Sequence, residues 1–72
     1  MENHYKVLGV TTSATVQELR RAYRILARRY HPDLQPGAST EERFKRIAEA
    51  YRVLSDPQRK AQYDLELERH LR

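Results

Sequence analysis

Two stretches of this chain repeat apolar residues at spacings of three and four, and a short loop separates them. An α-helix advances 100° per residue, so this spacing places the apolar side chains of each stretch on one helical face. The first face comprises Val16, Leu19, Tyr23, Leu26, Ala27 and Tyr30, and the second comprises Phe44, Ile47, Ala48, Tyr51 and Leu54. A connection this short favours helices that pack antiparallel. The sequence therefore predicts an all-α domain built around a helical hairpin.

The ends of both long helices carry recognisable signals. Thr15 and Glu18 fit a capping box, in which each side chain binds the backbone N–H of the other residue. Pro32 disfavours helical geometry in the residue before it, so the first long helix should end at or near residue 30. The second long helix should begin at Ser39 or Thr40, because hydroxyl side chains can cap a helix start.

Shorter helices are predicted on either side of the hairpin. Residues 3–8 should form a helix that Gly9 ends, because glycine readily adopts the left-handed conformation of a C-cap. Asp56 is a good N-cap and Pro57 a good first helical residue, so a last helix should span residues 57 to about 70. The predicted architecture has four helices, of which the first and last are short.

Length and composition restrict the classes of function. A chain of 72 residues makes one small domain, and domains of this size bury only about 60% of their unfolded surface. A deep, enclosed active site is therefore not expected. The chain has no cysteine, and its three histidines lack metal-ligand spacing, so we predict no metal and no cofactor. No apolar run reaches membrane-spanning length and no secretory signal is visible, so we expect a soluble, cytoplasmic monomer.

The excess positive charge belongs to one helix. The formal net charge is +4, and residues 15–30 hold five arginines against one glutamate, whereas the rest of the chain is neutral. Gln17, Arg21, Arg24 and Arg28 run along the face opposite the apolar one. Such a stripe can be an ordinary solvated surface, but helices made only for solubility tend to mix both signs. Unbalanced arginine favours an anionic partner, either an acidic protein surface or a nucleic-acid backbone.

The tripeptide His31-Pro32-Asp33 follows this basic stretch, at the tip of the predicted hairpin. As ordinary structure, Pro32 ends the helix and Asp33 forms a turn. Catalysis is disfavoured, because a His/Asp pair also needs a nucleophile, an oxyanion site and a cleft, and none is visible. Proline fixes the backbone here, so His31 and Asp33 lose little conformational entropy on docking. We interpret the tripeptide as a preorganised binding group.

Tyrosine supplies much of the predicted core. Four tyrosines should bury their rings and leave their hydroxyls at the polar edge of the core, namely Tyr5, Tyr30, Tyr51 and Tyr63. Tyr63 and Asp64 should tie the last helix to the hairpin. Tyr23 lies at the border of the apolar face, near Arg20 and Arg24, so it can pack inward and still contact a partner.

A series of short motifs runs through most of the chain. They are Tyr5-Lys6-Val7-Leu8-Gly9-Val10, Glu18–Arg24, Leu26-Ala27, Tyr30-His31-Pro32-Asp33, Phe44–Ile47, Glu49–Tyr51, Val53–Asp56, Arg59-Lys60 and Tyr63-Asp64. In this order the motifs resemble the J domain, the module of DnaJ-type co-chaperones, over about residues 3–64. Several ordered motifs are far more specific than a lone His-Pro-Asp.

The resemblance implies both a fold and a function. It implies four helices, with the second and third as an antiparallel hairpin that carries the His-Pro-Asp loop at its tip. It also implies a non-enzymatic role, in which the module docks on a DnaK-type heat-shock chaperone in its ATP state and stimulates that partner's ATP hydrolysis. The basic face of the second helix would contact an acidic patch of the ATPase. The implied partner-binding residues are Arg20, Arg21, Tyr23, Arg24, His31, Pro32 and Asp33.

Three positions depart from the family pattern. Ile25 occupies a commonly basic position, Leu34 replaces a frequent lysine or arginine, and His4 stands where an aromatic partner of Tyr5 is common. The triplet and the helix pattern are intact, so we expect the activity to be retained. The departures leave open the affinity and the choice of partner.

A small basic-helix nucleic-acid-binding domain is the alternative, with Arg21, Arg24 and Arg28 on phosphates. Against it, Asp33 would repel a phosphate backbone, and beyond Gln17 the chain has no asparagine and glutamine set for base edges. We therefore expect no nucleic-acid partner.

Residues 1–72 are interpreted as a single J domain. J domains are commonly joined to regions that bind client proteins, which leaves open that this chain is a fragment of a longer co-chaperone. Clients would then bind through regions absent from this sequence.

Overall fold

The computed structural model describes residues 3–31, 33–34 and 36–71, with the backbone alone at residue 71. The helices are α1 (His4–Leu8), α2 (Val16–Arg29), α3 (Ala38–Leu54) and α4 (Pro57–Leu71). No strand occurs among these residues, so the all-α four-helix prediction is confirmed. α4 has 15 residues against 14 in α2, so the expectation of a short last helix is wrong, although its predicted span is correct.

Both ends of α1 follow local signals. The Asn3 side chain caps the start by accepting hydrogen bonds from the backbone N–H groups of Tyr5, at 3.0 Å, and Lys6, at 3.4 Å. Gly9 ends the helix in the left-handed conformation, with φ 73° and ψ 32°. The N–H groups of Gly9 and Val10 then donate to carbonyls of the last turn. The predicted glycine cap is confirmed.

The predicted caps of α2 and α4 are also confirmed. The Thr15 hydroxyl accepts from the N–H of Glu18, and the Glu18 carboxylate accepts from the N–H of Thr15, both at 3.1 Å. α2 ends with Tyr30 as its C-cap. Asp56 accepts from the N–H of Gln58 at 2.9 Å, at the start of α4. These contacts join residues at most three positions apart, which is why the sequence predicts them well.

The start of α3 differs from the prediction. The helix begins at Ala38, with Gly37 as its N-cap, so the expected start at Ser39 or Thr40 is late by one or two residues. No side chain caps this end; instead the Gly37 carbonyl accepts from the N–H of Glu41 at 3.0 Å. Gly37 has φ 148°, a conformation that side-chain-bearing residues rarely adopt. Glycine therefore makes the turn that lets the helix begin early.

Contacts between α2 and α3 show that the two helices run antiparallel. Near the end of α2, the Tyr30 hydroxyl accepts from the Arg43 guanidinium of early α3 at 3.0 Å. Seven residues earlier in α2, the Tyr23 ring stacks on Tyr51 of late α3 at 4.3 Å between centroids. Residues earlier in α2 therefore contact residues later in α3, as in an antiparallel pair. This order places the described loop residues, 31, 33–34 and 36–37, at the tip of the hairpin.

The core draws on all four helices. Its buried members are Tyr5, Leu8, Ala14, Leu19, Ile47, Ala50, Leu54, Tyr63 and Leu67. Val16, the first residue of α2, was expected on the inner face but is 56% exposed, so this part of the prediction is wrong. Ala50 is fully buried although the predicted stripe omits it. No helix in the described part of the chain is long and apolar enough to cross a membrane.

A polar cluster joins α1 to α4. The buried Tyr5 donates its hydroxyl proton to the Asp64 carboxylate, whose other oxygen accepts from the Lys60 ammonium at 2.8 Å. The Tyr63 hydroxyl accepts from the His4 N–H at 2.8 Å, and the two rings stack at 4.5 Å. The hydrogen bonds of Tyr63 to His4 and of Asp64 to Tyr5 link α4 to α1, a link that the sequence analysis did not predict, while Tyr63 also shares the core with Ile47 and Leu54 of the hairpin. Burial, followed by the hydrogen bond to Asp64, raises the pKa of Tyr5.

Candidate functional site

The basic face of α2 is one continuous surface. The side chains that line it are Gln17, Arg20, Arg21, Arg24, Ile25 and Arg28. Together they border a shallow groove of about 520 Å³. The structure thus confirms that Gln17, Arg21, Arg24 and Arg28 share a face, and it adds Ile25 to that face. We call this surface the arginine groove.

The four arginines of this surface, and the neighbouring Arg29, have no partner among the described residues. The side chains of Arg20, Arg21, Arg24, Arg28 and Arg29 form no ion pair and no hydrogen bond with any residue that the structure describes. The one acidic residue of α2 holds the capping box at its first turn. All five guanidinium groups are therefore available to external carboxylates or phosphates, which match their planar fork.

The loop after α2 presents His31 and Asp33 to solvent. Their side chains are 46% and 89% exposed. The Asp33 N–H donates to His31 Nδ1 at 3.2 Å, and the Leu34 N–H donates to the His31 carbonyl at 3.0 Å. These bonds form a compact turn. Pro32, the third predicted member of this site, lies outside the described residues.

Hydrogen bonding and packing orient the His31 ring. Because Nδ1 accepts a hydrogen bond from the backbone N–H of Asp33, the neutral ring carries its own proton on Nε2. Nε2 has no hydrogen-bond partner among the described residues. On the other side, the Phe44 ring of α3 meets His31 edge-on, with 5.7 Å between centroids and 72° between planes. The tip therefore offers a positioned N–H donor beside an exposed carboxylate.

The contact from Phe44 was missed at the sequence level, where Phe44 was assigned only to the inner stripe of α3. The signal lies in the register of the hairpin, because an antiparallel pair brings early α3 to the end of α2. Phe44 is half-buried and serves as a support for the tip.

Tyr23 is half-buried and packs against α3. Its ring lies almost parallel to that of Tyr51, with 11° between the planes. The predicted inward packing of Tyr23 is thus observed, while its contact with a partner stays a prediction. The stacking on Tyr51 fixes this ring against α3.

Neither a metal site nor an enclosed pocket occurs in the part of the chain that the structure describes. No group of three or more acidic or histidine side chains there could hold a metal ion. A second cavity, of about 240 Å³, lies where α1, α2 and α3 meet, and Val7, Leu26 and Ile47 contribute to its lining together with Tyr30 and two arginines.

Comparison with known proteins identifies the family. The family model for the DnaJ domain matches residues 3–64. The chain is 53% identical over 62 residues to the chaperone protein DnaJ of Listeria monocytogenes, covering 86% of this chain and 16% of that protein. It is 56% identical over 63 residues to the chaperone protein DnaJ of Dictyoglomus thermophilum, covering 88% of this chain and 16% of that one. The chain thus spans about one sixth of the length of the curated relatives it matches.

A solved structure of a J-domain has the same fold as this chain. The J-domain of the DnaJ homolog dnj-2 precursor from C. elegans superposes with a TM-score of 0.85 and is 43% identical, covering 93% of this chain and 71% of that one. The agreement includes all four helices in order, because coverage this high leaves only a few residues unmatched. The matched family model, the relatives and the shared fold together show that this chain belongs to the DnaJ domain family.

Proposed function

We propose that this chain docks on a DnaK-type ATPase chaperone and stimulates its ATP hydrolysis, while it contributes no catalytic group. The observation that carries the proposal is a helix face of arginines, without partners in the described part of the chain, that leads directly into the exposed His31 and Asp33 turn. Membership of the DnaJ domain family supports it. The residues proposed to contact the partner are Arg20, Arg21, Tyr23, Arg24, His31, Pro32 and Asp33.

The two parts of the surface contribute differently to docking. The arginine groove attracts an acidic surface from a distance, which raises the rate of association more than the final affinity. The tip then makes short-range contacts from a backbone that is already ordered by the bonds around His31. Hydrolysis is stimulated when these contacts favour the hydrolysis-competent conformation of the partner, so the module acts by allosteric coupling.

The proposal extends to the organisation of the protein. Residues 1–72 form one J domain, supported by a single core to which all four helices contribute. Client proteins bind through regions outside this sequence, in line with the much greater length of the DnaJ relatives. The large apolar side chains that are exposed among the described residues are few, and they are scattered over α2, the tip loop and α4, which favours a monomer; they are Val16, Ile25, Leu34 and Leu65. The absence of cysteine favours a reducing compartment such as the cytoplasm.

The central test uses the tip. His31→Gln and Asp33→Asn should each abolish the stimulation of ATP turnover by a DnaK-type chaperone in a single-turnover assay. Circular dichroism should show unchanged helical content, because both side chains are exposed. Glu49→Gln is the matched control, since it removes an exposed carboxylate from the 2.6 Å pair with Arg52 and should stimulate normally. If either tip variant stimulates like the wild type, the proposal fails.

A second test uses the arginine groove. Arg24→Ala should weaken docking, and added salt should weaken the wild type as well, because exposed charges are screened beyond about 8 Å at physiological ionic strength. Arg52→Ala removes one positive charge from α3 and should have little effect on docking. A gel shift with duplex DNA at physiological salt checks the nucleic-acid alternative. If the chain binds duplex DNA at physiological salt and has no effect on ATP turnover, nucleic-acid binding becomes the favoured function.

A further inference from the structure

An apolar side chain lies among the cations of the arginine groove. Ile25 is 54% exposed and lines the same groove as Arg20, Arg21, Arg24 and Arg28. It follows Arg21 by four residues and precedes Arg28 by three, so it is the neighbour of both on the helix surface. Ile25 is absent from the core cluster and from the partly buried side chains packed against it. It therefore does little to hold the fold together.

Single exposed apolar residues are common and need no explanation by themselves. Val16 begins α2, Leu34 lies in the tip loop and Leu65 lies on α4. Ile25 differs from these three because it lines a groove whose other members include four arginines that have no partner among the residues the structure describes. Any partner that neutralises those arginines must also cover Ile25 and remove it from water.

We propose that Ile25 is a specificity-determining anchor, which inserts into an apolar depression ringed by carboxylates on the DnaK-type partner of this chain. This inference rests on the proposed function and adds the chemistry of the surface that the partner presents. An apolar centre surrounded by polar contacts that exclude water is the arrangement that concentrates binding energy in protein interfaces. The arginines around Ile25 require an acidic rim around this depression, because the charges of the two surfaces must be complementary.

The direction in which one substitution changes the affinity for the partner distinguishes this proposal from docking by charge alone. Ile25→Lys adds a fifth cation to the groove, so a purely electrostatic dock should bind an acidic partner more tightly. An anchor in an apolar depression should instead bind more weakly, because the ammonium group would be desolvated without a partner. Ile25→Ala removes the apolar contact without adding charge, and alanine is favourable in a helix. Its effect should therefore persist at every salt concentration.

The experiment measures the dissociation constant and single-turnover stimulation with the DnaK-type chaperone encoded by the same genome, in the ATP state, at low and high salt. Covering about half of an isoleucine side chain corresponds to about fivefold in affinity, or roughly 1 kcal/mol at about 1.4 kcal/mol per tenfold. We expect Ile25→Ala to lose about fivefold at both salt concentrations and Ile25→Lys to lose at least as much. Leu65→Ala and Leu65→Lys, at a side chain with 49% exposure on α4, are matched controls and should bind normally.

The outcomes separate the two proposals. If the wild-type chain fails to stimulate ATP turnover, the proposed function is wrong. If the wild type stimulates but Ile25→Lys binds as tightly or more tightly, the anchor is refuted and docking by charge stands. If the Leu65 variants lose as much affinity as the Ile25 variants, the effect is not specific to the groove, and the anchor is likewise refuted.

Discussion

Replacing Tyr5 with phenylalanine should destabilise this domain, because the change removes a hydroxyl that joins α1 to α4. The Tyr5 ring is 1% exposed, so phenylalanine keeps its packing and loses only the oxygen. That hydroxyl donates to Asp64, which also accepts from Lys60 at 2.8 Å. The Lys60 ammonium lies 5.9 Å from the centre of the Tyr5 ring as well. The variant therefore removes the central donor of a three-residue cluster.

The expected magnitude follows from the charge and exposure of the partner. Hydrogen bonds to charged groups contribute about 1.5 to 3 kcal/mol. The Asp64 and Lys60 side chains are 39% and 31% exposed, so water replaces part of what the carboxylate loses. We therefore expect the low end, about 1.5 kcal/mol. In a domain of this size, that corresponds to a melting temperature about 6 to 12 °C lower.

Urea and thermal unfolding followed by far-ultraviolet circular dichroism at neutral pH measure this effect. The urea midpoint should fall while the slope of the transition stays constant, because the wild type and the variant expose nearly the same surface when they unfold. Tyr51→Phe is the matched control, since the Tyr51 hydroxyl bonds to no described residue. The argument is refuted if Tyr5→Phe destabilises the domain no more than Tyr51→Phe does.

Three further predictions concern stability. The pKa of Tyr5 is raised above its usual 10.0, chiefly by burial, and the hydrogen bond to Asp64 raises the pKa of Lys60 above its usual 10.5. Both groups hold protons more tightly in the folded state, so their stabilisation is complete below about pH 10 and falls as the pH rises through the folded values, which urea titrations at alkaline pH should show. Thr15→Ala removes one half of the capping box and should lower the free energy of unfolding by about 1 kcal/mol, read from the urea midpoint. Gly9→Ala should lower it by about 1 to 2 kcal/mol because φ is 73°, whereas Gly9→Asn should lose less, since asparagine tolerates the left-handed region.

Local signals explain what the sequence predicts well. The capping box of Thr15 and Glu18, and the left-handed cap at Gly9, each involve residues within a few positions of one another. Their geometry is therefore nearly independent of the rest of the fold. The same holds for Asp56 at the start of α4. The exposure of His31 and Asp33 follows from a proline-containing loop between two periodic stretches, and the structure bears it out.

Features that depend on register or on distant partners were missed or assigned wrongly. Asp64 lies 59 residues from its partner Tyr5, and no pattern within α4 identifies that partner. The support of His31 by a ring of α3 requires the alignment of the two long helices. Ala50 was omitted, although it is fully buried, follows Ile47 by three residues and precedes Leu54 by four. Periodicity locates a face of a helix, but it does not determine which part of that face the core covers.

The arginines that are proposed to dock on the partner also destabilise α2, because they repel one another. Arg24 lies four residues after Arg20 and four before Arg28, and like charges at this spacing destabilise a helix by about 0.2 to 0.5 kcal/mol per pair. No acidic partner offsets this repulsion within the described chain. Alanine is also the most favourable residue in a helix.

Arg24→Ala should therefore raise the free energy of unfolding by about 0.5 to 1 kcal/mol while it weakens docking. Arg52→Ala, which breaks an exposed ion pair, should instead leave stability unchanged or slightly lower. Urea midpoints at low salt measure both variants, and the gain in Arg24→Ala should shrink as salt screens the repulsion. A lower urea midpoint for Arg24→Ala than for the wild type would show that these arginines stabilise the helix. The argument that they lower stability and are present for docking would then be refuted.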